Sequence, residues 1–138
     1  MLCEGDPLLY GSFSQLLKRL APSYPAEIVP GITSITAAAA AARRPLAVRN
    51  DTLAIVPATL PMEALRARLA HSNAAAILKL GRHLDKVRQV LGELNILDRA
   101  IYVERVSTAE QRVMPLVDIK EVSAPYFSLV LIPSGPDQ

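Results

Sequence analysis

The chain has 138 residues, of which 51% are hydrophobic, 20% are charged and 4% are aromatic. This apolar fraction excludes intrinsic disorder, and the length suits one globular domain or two small lobes that share an interface. The net charge is only +2 and there is no Trp, whereas a nucleic-acid-binding protein usually carries a clustered basic face and stacking aromatics, so we expect no nucleic-acid partner.

The first third of the chain is predicted to contain two helices, each preceded by a short apolar strand. The pattern predicts a strand over 2–4, a helix over 9–20, a strand over 27–29 and a helix through 37–42. The second helix is mostly Ala, which is the best helix former and allows close packing onto a sheet. Thr33 or Ser34 is placed to cap it.

The remainder of the chain alternates strands and helices and then changes pattern. Residues 43–50 are interpreted as a linker, because Arg43-Arg44-Pro45 breaks the preceding helix. The predicted elements that follow are a strand over 52–56, a helix from 59–61 through 69, a strand over 74–80, a helix over 83–94, and strands over 99–105, 112–117 and 126–132. The last two strands have no helix between them, so we expect them to pair antiparallel, and we expect the tail 133–138 to be loose. This order predicts an α/β fold with a mixed sheet.

The cysteine and histidine content indicates neither a disulfide nor a metal site. Cys3 is the single cysteine, and His71 and His83 lie twelve positions apart without a cluster of ligands around them. The apolar stretch 31–42 is too short to span a membrane, and the first twelve residues contain two acidic and no basic side chains, unlike a signal peptide. We therefore expect a cytoplasmic protein without a membrane partner or a bound metal.

Three predicted strands end in glycine-containing loops, at 5–7, 30–34 and 79–83. In open α/β sheets, ligands bind beyond the carboxyl ends of strands, where glycine allows close approach of the main chain. These loops are compatible with a nucleotide-like ligand, but Gly and Pro also end strands in most proteins, so both interpretations stay open on the residues alone. No G-x-G-x-x-G or Walker loop is present.

No catalytic residue can be assigned from the sequence. Cys3 lies in a predicted strand and is interpreted as a buried structural thiol rather than a nucleophile. Glu4 and Asp6 could form an acid–base pair, but an Asp before Pro more often binds main-chain N–H groups in a turn. The catalytic group therefore stays unknown.

Several segments, in order along the whole chain, resemble the tetrapyrrole (corrin/porphyrin) methylases. The Glu-Gly-Asp-Pro-Leu-Leu-Tyr-Gly-Ser-Phe run at 4–13 resembles their Gly-Asp-Pro loop, and Pro-Gly-Ile-Thr-Ser at 30–34 resembles their second signature. The match continues with Lys-Leu-Gly-Arg-His at 79–83 and with segments 102–105, 110–113 and 126–130. The first and third of these segments are most similar to family members that methylate C20 of precorrin-2.

The resemblance implies a homodimeric two-lobed α/β enzyme that binds S-adenosylmethionine (SAM) between its lobes and a tetrapyrrole substrate in an adjoining trough. It implies methyl transfer to C20 of precorrin-2 in cobalamin biosynthesis. Cofactor contacts carried over by motif position are Glu4, Gly5, Asp6, Leu9, Thr33, Ser34, Leu80 and, through its main chain, Val106. Candidate partners for the substrate carboxylates are Arg43, Arg44, Arg49, Arg82 and Arg112.

The chain departs from the family at its beginning. The family starts with a strand, a glycine-rich loop and about half of the first lobe, none of which precedes Met1 here. We therefore expect a chain truncated at its N-terminus. It would consist of a partial first lobe over 1–42, the linker 43–50 and a complete second lobe over 51–138. We expect the chain alone to be weak or inactive as an enzyme. The alternatives are a non-catalytic dimerisation or binding module derived from such an enzyme, and a sister methyltransferase acting on the cobalt-containing substrate, cobalt-factor II.

Overall fold

The computed structural model describes residues 1–135 and contains four α-helices and five strands within that range. The helices are α1 (Phe13–Leu20), α2 (Ser34–Ala42), α3 (Met62–Ala70) and α4 (Leu84–Glu93). The strands are β1 (Leu53–Pro57), β2 (Ala74–Leu78), β3 (Ile101–Glu104), β4 (Arg112–Pro115) and β5 (Ser128–Ile132). Short 3₁₀ turns occupy 81–83, 97–99 and 116–118.

The strands form one mixed sheet in the order β1-β2-β5-β3-β4. Strands β1 and β2 are parallel, with Ile55 opposite Ala76. Strand β5 enters antiparallel between β2 and β3, and β4 pairs antiparallel with the outer side of β3. The predicted α/β fold with a mixed sheet is confirmed.

The expectation that strands 112–117 and 126–132 pair with each other is wrong, because β3 lies between them. All five residues of β5 are buried, which suits a central strand that is covered on both faces. Strand β4 has an exposed Arg112 at one end and an exposed Pro115 at the other, which suits an edge strand. Burial therefore decides the pairing, and chain order does not.

Helices cover both faces of the sheet. On one face, Val56, Ile77, Tyr102 and Val130 join the apolar sides of α3 and α4 in a core cluster. On the other face, α2 packs against the sheet in a second cluster, whose buried members are Ile35, Ala38, Ala76, Val103, Leu129 and Leu131. The second cluster consists partly of small side chains, so α2 can lie close to the strands.

The second helix is capped as the sequence predicts. The Thr33 hydroxyl accepts a hydrogen bond from Thr36 N at 3.2 Å, and Arg43 ends the helix in the left-handed conformation with φ +53°. The segment 43–50 contacts the sheet layer, because Leu46 packs into the second cluster and its carbonyl accepts a hydrogen bond from Ser134 N. The division into lobes at this segment stays a prediction.

The predicted strands over 2–4 and 27–29 are wrong, since neither segment joins the sheet. The first helix begins at Phe13 rather than at residue 9, because Asp6 accepts hydrogen bonds from the next residues and Tyr10 turns with φ +55°. Residues 133–135 have no regular structure, and the rest of the predicted loose tail lies outside the described residues. Within residues 1–135, no helix has the length and apolar character needed to cross a membrane.

Candidate functional site

Asp6 joins two loops that are 25 residues apart in the sequence. Its Oδ1 accepts a hydrogen bond from Leu8 N at 2.9 Å, which closes its own turn, and its Oδ2 accepts one from Gly31 N at 3.1 Å. The N–H groups of Leu8 and Gly31 lower the pKa of the Asp6 carboxyl below its usual range. Asp6 therefore acts as an ionised tie between the Gly-Asp-Pro loop and the Pro-Gly turn.

Glycine is required where these two loops touch. A Cβ on Gly31 would lie 2.2 Å from the Gly5 carbonyl oxygen, far inside van der Waals contact. Gly5 itself has φ +72°, a left-handed conformation that favours glycine. The two loops can approach this closely because residue 31 carries no side chain, and Gly5 allows the turn of the first loop.

The Pro-Gly turn leads directly into the N-terminus of α2. A Cβ on Gly5 would lie 3.9 Å from Ser34 N, the first main-chain nitrogen of the helix. The Thr33 and Thr36 hydroxyls lie 3.1 Å apart beside it. The predicted cofactor residues Gly5, Asp6, Thr33 and Ser34 are thus brought together in one place.

The third predicted loop reaches the same place from the sheet. Lys79 follows β2 and turns with φ +58°, and its ammonium lies 5.3 Å from the centre of the Tyr10 ring. Leu9 and Val106 both pack at the margin of the cluster beneath α2. All three glycine-containing loops therefore meet at the edge of the sheet where β2 and β3 end.

The remaining predicted cofactor residues occupy different environments. Glu4 is exposed beside Gly5, whereas the Leu80 side chain is completely buried in the core next to α4. Any ligand contact at Leu80 would therefore have to use its main chain. Val106 is half-buried and follows Arg105, which turns with φ +47° at the end of β3.

The predicted substrate arginines are not gathered at one site. Arg82 lies exposed in the 3₁₀ turn after β2, at the edge where the loops meet. Arg43, Arg44 and Arg49 follow the C-terminus of α2, near Leu46, which bonds to Ser134 beyond the end of β5. Because β5 is antiparallel to β2, its end marks the opposite edge of the sheet. The structure therefore separates these three arginines from the loops by the length of α2.

Arg112 lies at the edge of the sheet where the loops meet, but its guanidinium already binds two carboxylates. Its guanidinium donates to the Glu104 carboxylate and to Glu121 Oε1, each at 3.2 Å. Glu104 is 8% exposed and also accepts a hydrogen bond from the Tyr102 hydroxyl at 2.8 Å. Burial and this neighbouring carboxylate raise the pKa of Tyr102. Arg112 therefore balances a nearly buried carboxylate.

Glu104 is the polar residue that the sequence prediction assigned no role. Two features could have indicated it: it stands two residues after Tyr102, so both side chains share one face of β3, and Arg112 follows eight residues later. The register places Glu104 directly opposite Arg112. Without that register, the sequence does not show which cation meets this carboxylate.

A shallow cleft of about 370 Å³ opens beside the joined loops. It is lined by residues of the first loop, of the start of α1 and of the segment that leads into the Pro-Gly turn: Met1, Leu2, Cys3, Gly5, Pro7, Phe13, Glu27, Ile28, Val29, Pro30 and Gly31. The prediction of a buried thiol is wrong, because Cys3 is exposed in a segment that forms no strand.

Titratable groups around the loops do not form a metal site. No group of three or more His, Cys, Asp and Glu side chains is placed to hold an ion in the part of the chain that the structure describes. At the start of α4, partial burial of the His83 ring lowers its pKa, and the nearby cations Lys86 and Arg82 lower it further. The site as a whole offers main-chain groups, short hydroxyls and carboxylates to a ligand.

Comparisons with known proteins agree on one family. The family model for tetrapyrrole (corrin/porphyrin) methylases matches residues 1–122. The chain is 48% identical over 135 residues to the cobalamin biosynthesis protein CobIJ of Mycobacterium tuberculosis, covering 98% of this chain and 27% of that protein. It is 42% identical over 138 residues to a precorrin-2 C(20)-methyltransferase from Sinorhizobium, covering 100% of this chain and 56% of that protein.

A solved structure shows the same fold around a bound ligand. The uroporphyrin-III C-methyltransferase of Thermus thermophilus, complexed with S-adenosylhomocysteine, superposes with a TM-score of 0.65 at 28% identity. The alignment covers 94% of this chain and 62% of that one. The chain thus spans about a quarter to three fifths of the length of these proteins.

Proposed function

The chain belongs to the tetrapyrrole (corrin/porphyrin) methylase family, and on this premise we propose that it functions in SAM-dependent methyl transfer to a tetrapyrrole in cobalamin biosynthesis. We propose C20 of precorrin-2 as the methylated position. The relative that is 42% identical bears the name of that reaction, and the 48% identical relative is named for cobalamin biosynthesis. Because the chain spans only part of these relatives, the activity and the methylated position are proposals for this chain.

The observation that carries the proposal is the junction of the two loops through Asp6. Its carboxylate, the Gly5–Gly31 contact and the start of α2 form a fixed polar surface at the edge of the sheet. SAM has a net positive charge, which suits the exposed Glu4 and the ionised Asp6 beside these main-chain groups. The residues present therefore fit this cofactor.

The residues of the site are suited to positioning rather than to acid–base chemistry. SAM supplies the methyl group when it is bound, in an in-line displacement from a sulfonium. Holding the reacting atoms in line can supply several kcal/mol of the barrier through proximity and orientation. Asp6 keeps its carboxylate bonded to two N–H groups, so it orients the loops and is not placed to take a proton.

Titration calorimetry with S-adenosylhomocysteine tests the cofactor assignment. We expect saturable one-to-one binding that the Asp6→Asn substitution weakens and that Asp98→Asn, at the turn before β3, leaves unchanged. Absence of binding at about 10 mM would contradict the cofactor proposal, since millimolar affinity corresponds to only about 4 kcal/mol. Binding tighter than about 10 μM, or about 7 kcal/mol, would contradict the expectation that the cofactor site is incomplete in this chain alone.

Methyl transfer from radiolabelled SAM tests the substrate. The protein should label precorrin-2, and a parallel reaction with SAM that carries a ¹³C methyl group gives the position of that group by carbon NMR. Labelling of a cobalt-containing substrate alone would favour the sister methyltransferase. Cofactor binding without transfer to any tetrapyrrole would favour the non-catalytic module.

We further propose a homodimer, as the family resemblance implies. Sedimentation velocity over a concentration series measures it directly. A single species with the mass of two chains is the expected result, and a monomer at all concentrations would contradict it.

A further inference from the structure

The segment 119–127, which we call the strap, crosses the start of α4 on its way from β4 to β5. Arg88 of α4 donates from one guanidinium to two carbonyl oxygens of the strap, those of Ile119 and Glu121. Hydrogen bonds from a charged donor are stronger than neutral ones. The first half of the strap is therefore fixed to α4.

Two further contacts fix the strap to the edge of the sheet where the loops meet. Arg112 binds the Glu121 carboxylate with both terminal nitrogens at 3.2 Å. Ala124 N donates to the Gly81 carbonyl at 3.0 Å, which ties the strap to the loop after β2. The strap therefore has a defined path along this edge.

The strap ends in two exposed aromatic side chains, Tyr126 and Phe127, which we call the aromatic pair. Tyr126 is 89% exposed and Phe127 is 54% exposed. Their ring centres lie 5.0 Å apart with the planes at 84°, a favourable edge-to-face contact. Two large apolar rings held in water by a fixed segment are characteristic of a binding surface.

The main chain places Phe127 next to the candidate cofactor site. Arg105 N donates to the Phe127 carbonyl at 2.8 Å, which extends the β3–β5 ladder by one position beyond Glu104 and Ser128. The alternation along β5 assigns Phe127 to the face of Leu129, which is the face that α2 covers. Val106, a predicted cofactor contact, follows Arg105 directly.

The charges beside the aromatic pair are mainly positive. Arg82 adjoins Gly81, where the strap is bonded, and Arg105 adjoins Phe127 in the ladder; both side chains are exposed. The nearest strap and strand carboxylates, Glu121 and Glu104, are occupied by Arg112, and the Arg105 guanidinium also lies 3.8 Å from Glu104. An aromatic surface with exposed arginines at its margin is complementary to a flat conjugated ring that carries carboxylates.

We propose that the aromatic pair is the platform for the tetrapyrrole substrate, with one ring stacked on its face and the other, held at 84° to the first, against its edge. Arg82 and Arg105 bind its carboxylates. This inference rests on the proposed function. It assigns a substrate-binding role to Tyr126, Phe127 and Arg105, for which the sequence predicted none, beside Arg82, which the sequence already predicted as a substrate residue. Stacking on an aromatic side chain is worth about fivefold to a hundredfold in affinity for each flat ring in contact, by analogy with nucleobases.

Titration with uroporphyrin III, a planar octacarboxylate, tests the platform through its own absorption band. The test variant is the double substitution Tyr126→Leu with Phe127→Leu, which keeps apolar side chains and removes both ring faces. The matched control is Tyr24→Leu, an exposed tyrosine on the segment between α1 and α2. S-adenosylhomocysteine affinity and the unfolding midpoint are measured on the same samples.

We expect the double variant to bind uroporphyrin at least about tenfold more weakly than the unsubstituted chain. Its S-adenosylhomocysteine affinity should stay within about twofold, and its unfolding midpoint within a few degrees. The control Tyr24→Leu should bind uroporphyrin as the unsubstituted chain does. Unchanged uroporphyrin affinity in the double variant would overturn the platform. A parallel loss of S-adenosylhomocysteine affinity would overturn it too, because the rings would then serve the cofactor site or the fold. Failure of the unsubstituted chain to bind uroporphyrin while it binds S-adenosylhomocysteine would overturn the platform and leave the cofactor proposal standing.

Discussion

At the scale of single residues, Asp6 has the largest influence on the site. It is a half-buried loop carboxylate, and both of its oxygens accept hydrogen bonds from main-chain N–H groups. Interpretation of Asp6 as a turn residue that binds such groups is consistent with the Leu8 contact. The second contact, to Gly31, connects this turn to the other loop.

Substitution of Asp6 should change how the free energy of unfolding depends on pH. Its pKa is lowered, so the folded state favours the charged form; the resulting stability is present above the unfolded pKa and is lost as pH falls through the folded one. We expect the stability difference between the wild type and Asp6→Asn to stay constant from pH 8 to about pH 5 and to narrow below about pH 4. Urea unfolding at each pH measures it, with Glu4→Gln as the control.

A difference between the wild type and Asp6→Asn that persists unchanged at pH 3 would contradict an ionised Asp6 as its source. A Glu4→Gln series with the same pH profile would contradict the assignment to Asp6, because Glu4 lies in the same exposed loop. The two neighbouring carboxylates thus control for each other.

Gly31 provides a second test at the same scale. An alanine there would place its Cβ 2.2 Å from the Gly5 oxygen, so the two loops would have to separate. We expect Gly31→Ala to weaken S-adenosylhomocysteine binding by about tenfold or more, about 1.4 kcal/mol, because separation of the loops displaces the main-chain groups that Asp6 holds together. Calorimetry measures the affinity.

The matched control for Gly31→Ala is Gly92→Ala, since no atom lies within 4 Å of a Cβ there. Gly92 lies inside α4, where alanine should stabilise the protein by about 0.5–1 kcal/mol and leave cofactor affinity unchanged. Equal affinities for both variants would contradict the close contact of the two loops.

At the scale of elements, the alanine run of α2 allows this helix to pack closely on the sheet. Its residues Ile35 and Ala38 are buried against the strands, while Ala40 is exposed on the opposite side. Small side chains let the helix axis lie close to the sheet, and this places Ser34 beside Gly5. The position of the predicted cofactor residues therefore depends on the packing of this helix.

Enlargement of one alanine of α2 should change the free energy of unfolding on the buried side of the helix and hardly at all on the exposed side. Ala38→Leu places three extra heavy atoms into a fully packed region and should cost about 1–3 kcal/mol of unfolding free energy. Ala40→Leu makes the same change on the exposed side and should cost less than about 0.5 kcal/mol. Urea unfolding measures both, and equal costs would contradict the packing of α2 on the sheet.

At the scale of the whole molecule, burial is concentrated away from the first loop. Pro7 is the single buried residue among positions 1–34, whereas the sheet and α4 contain most of the core. Helix α1 buries none of its residues, but α4 buries Leu84, Val87, Val90 and Leu91. The part of the chain that contributes Asp6 is therefore attached by few apolar contacts.

Hydrogen exchange should follow this distribution. Regions with few buried apolar contacts open at low free energy, whereas core helices open close to the global limit. We expect the amides of α1 to exchange at least about a hundredfold faster than those of α4, after correction for intrinsic rates. Mass spectrometry of proteolytic peptides measures both, and equal protection of the two helices would contradict the unequal burial.

The sequence by itself determined the fold class, most of the helices and the family, because periodicity, capping residues and ordered motifs are local properties. It predicted α2 and its Thr33 cap, since alanine preference and capping act within a few residues. It also identified three glycine-containing loops as candidates for a ligand site.

Only the tertiary structure decided how these parts meet. The position of β5 between β2 and β3 depends on burial of both its faces, and the pairing of Glu104 with Arg112 depends on the register that follows. The Asp6–Gly31 bond and the path of the strap join residues that are far apart in the chain. Such contacts arise when the sheet brings separate loops to one edge, so local sequence preferences cannot specify them.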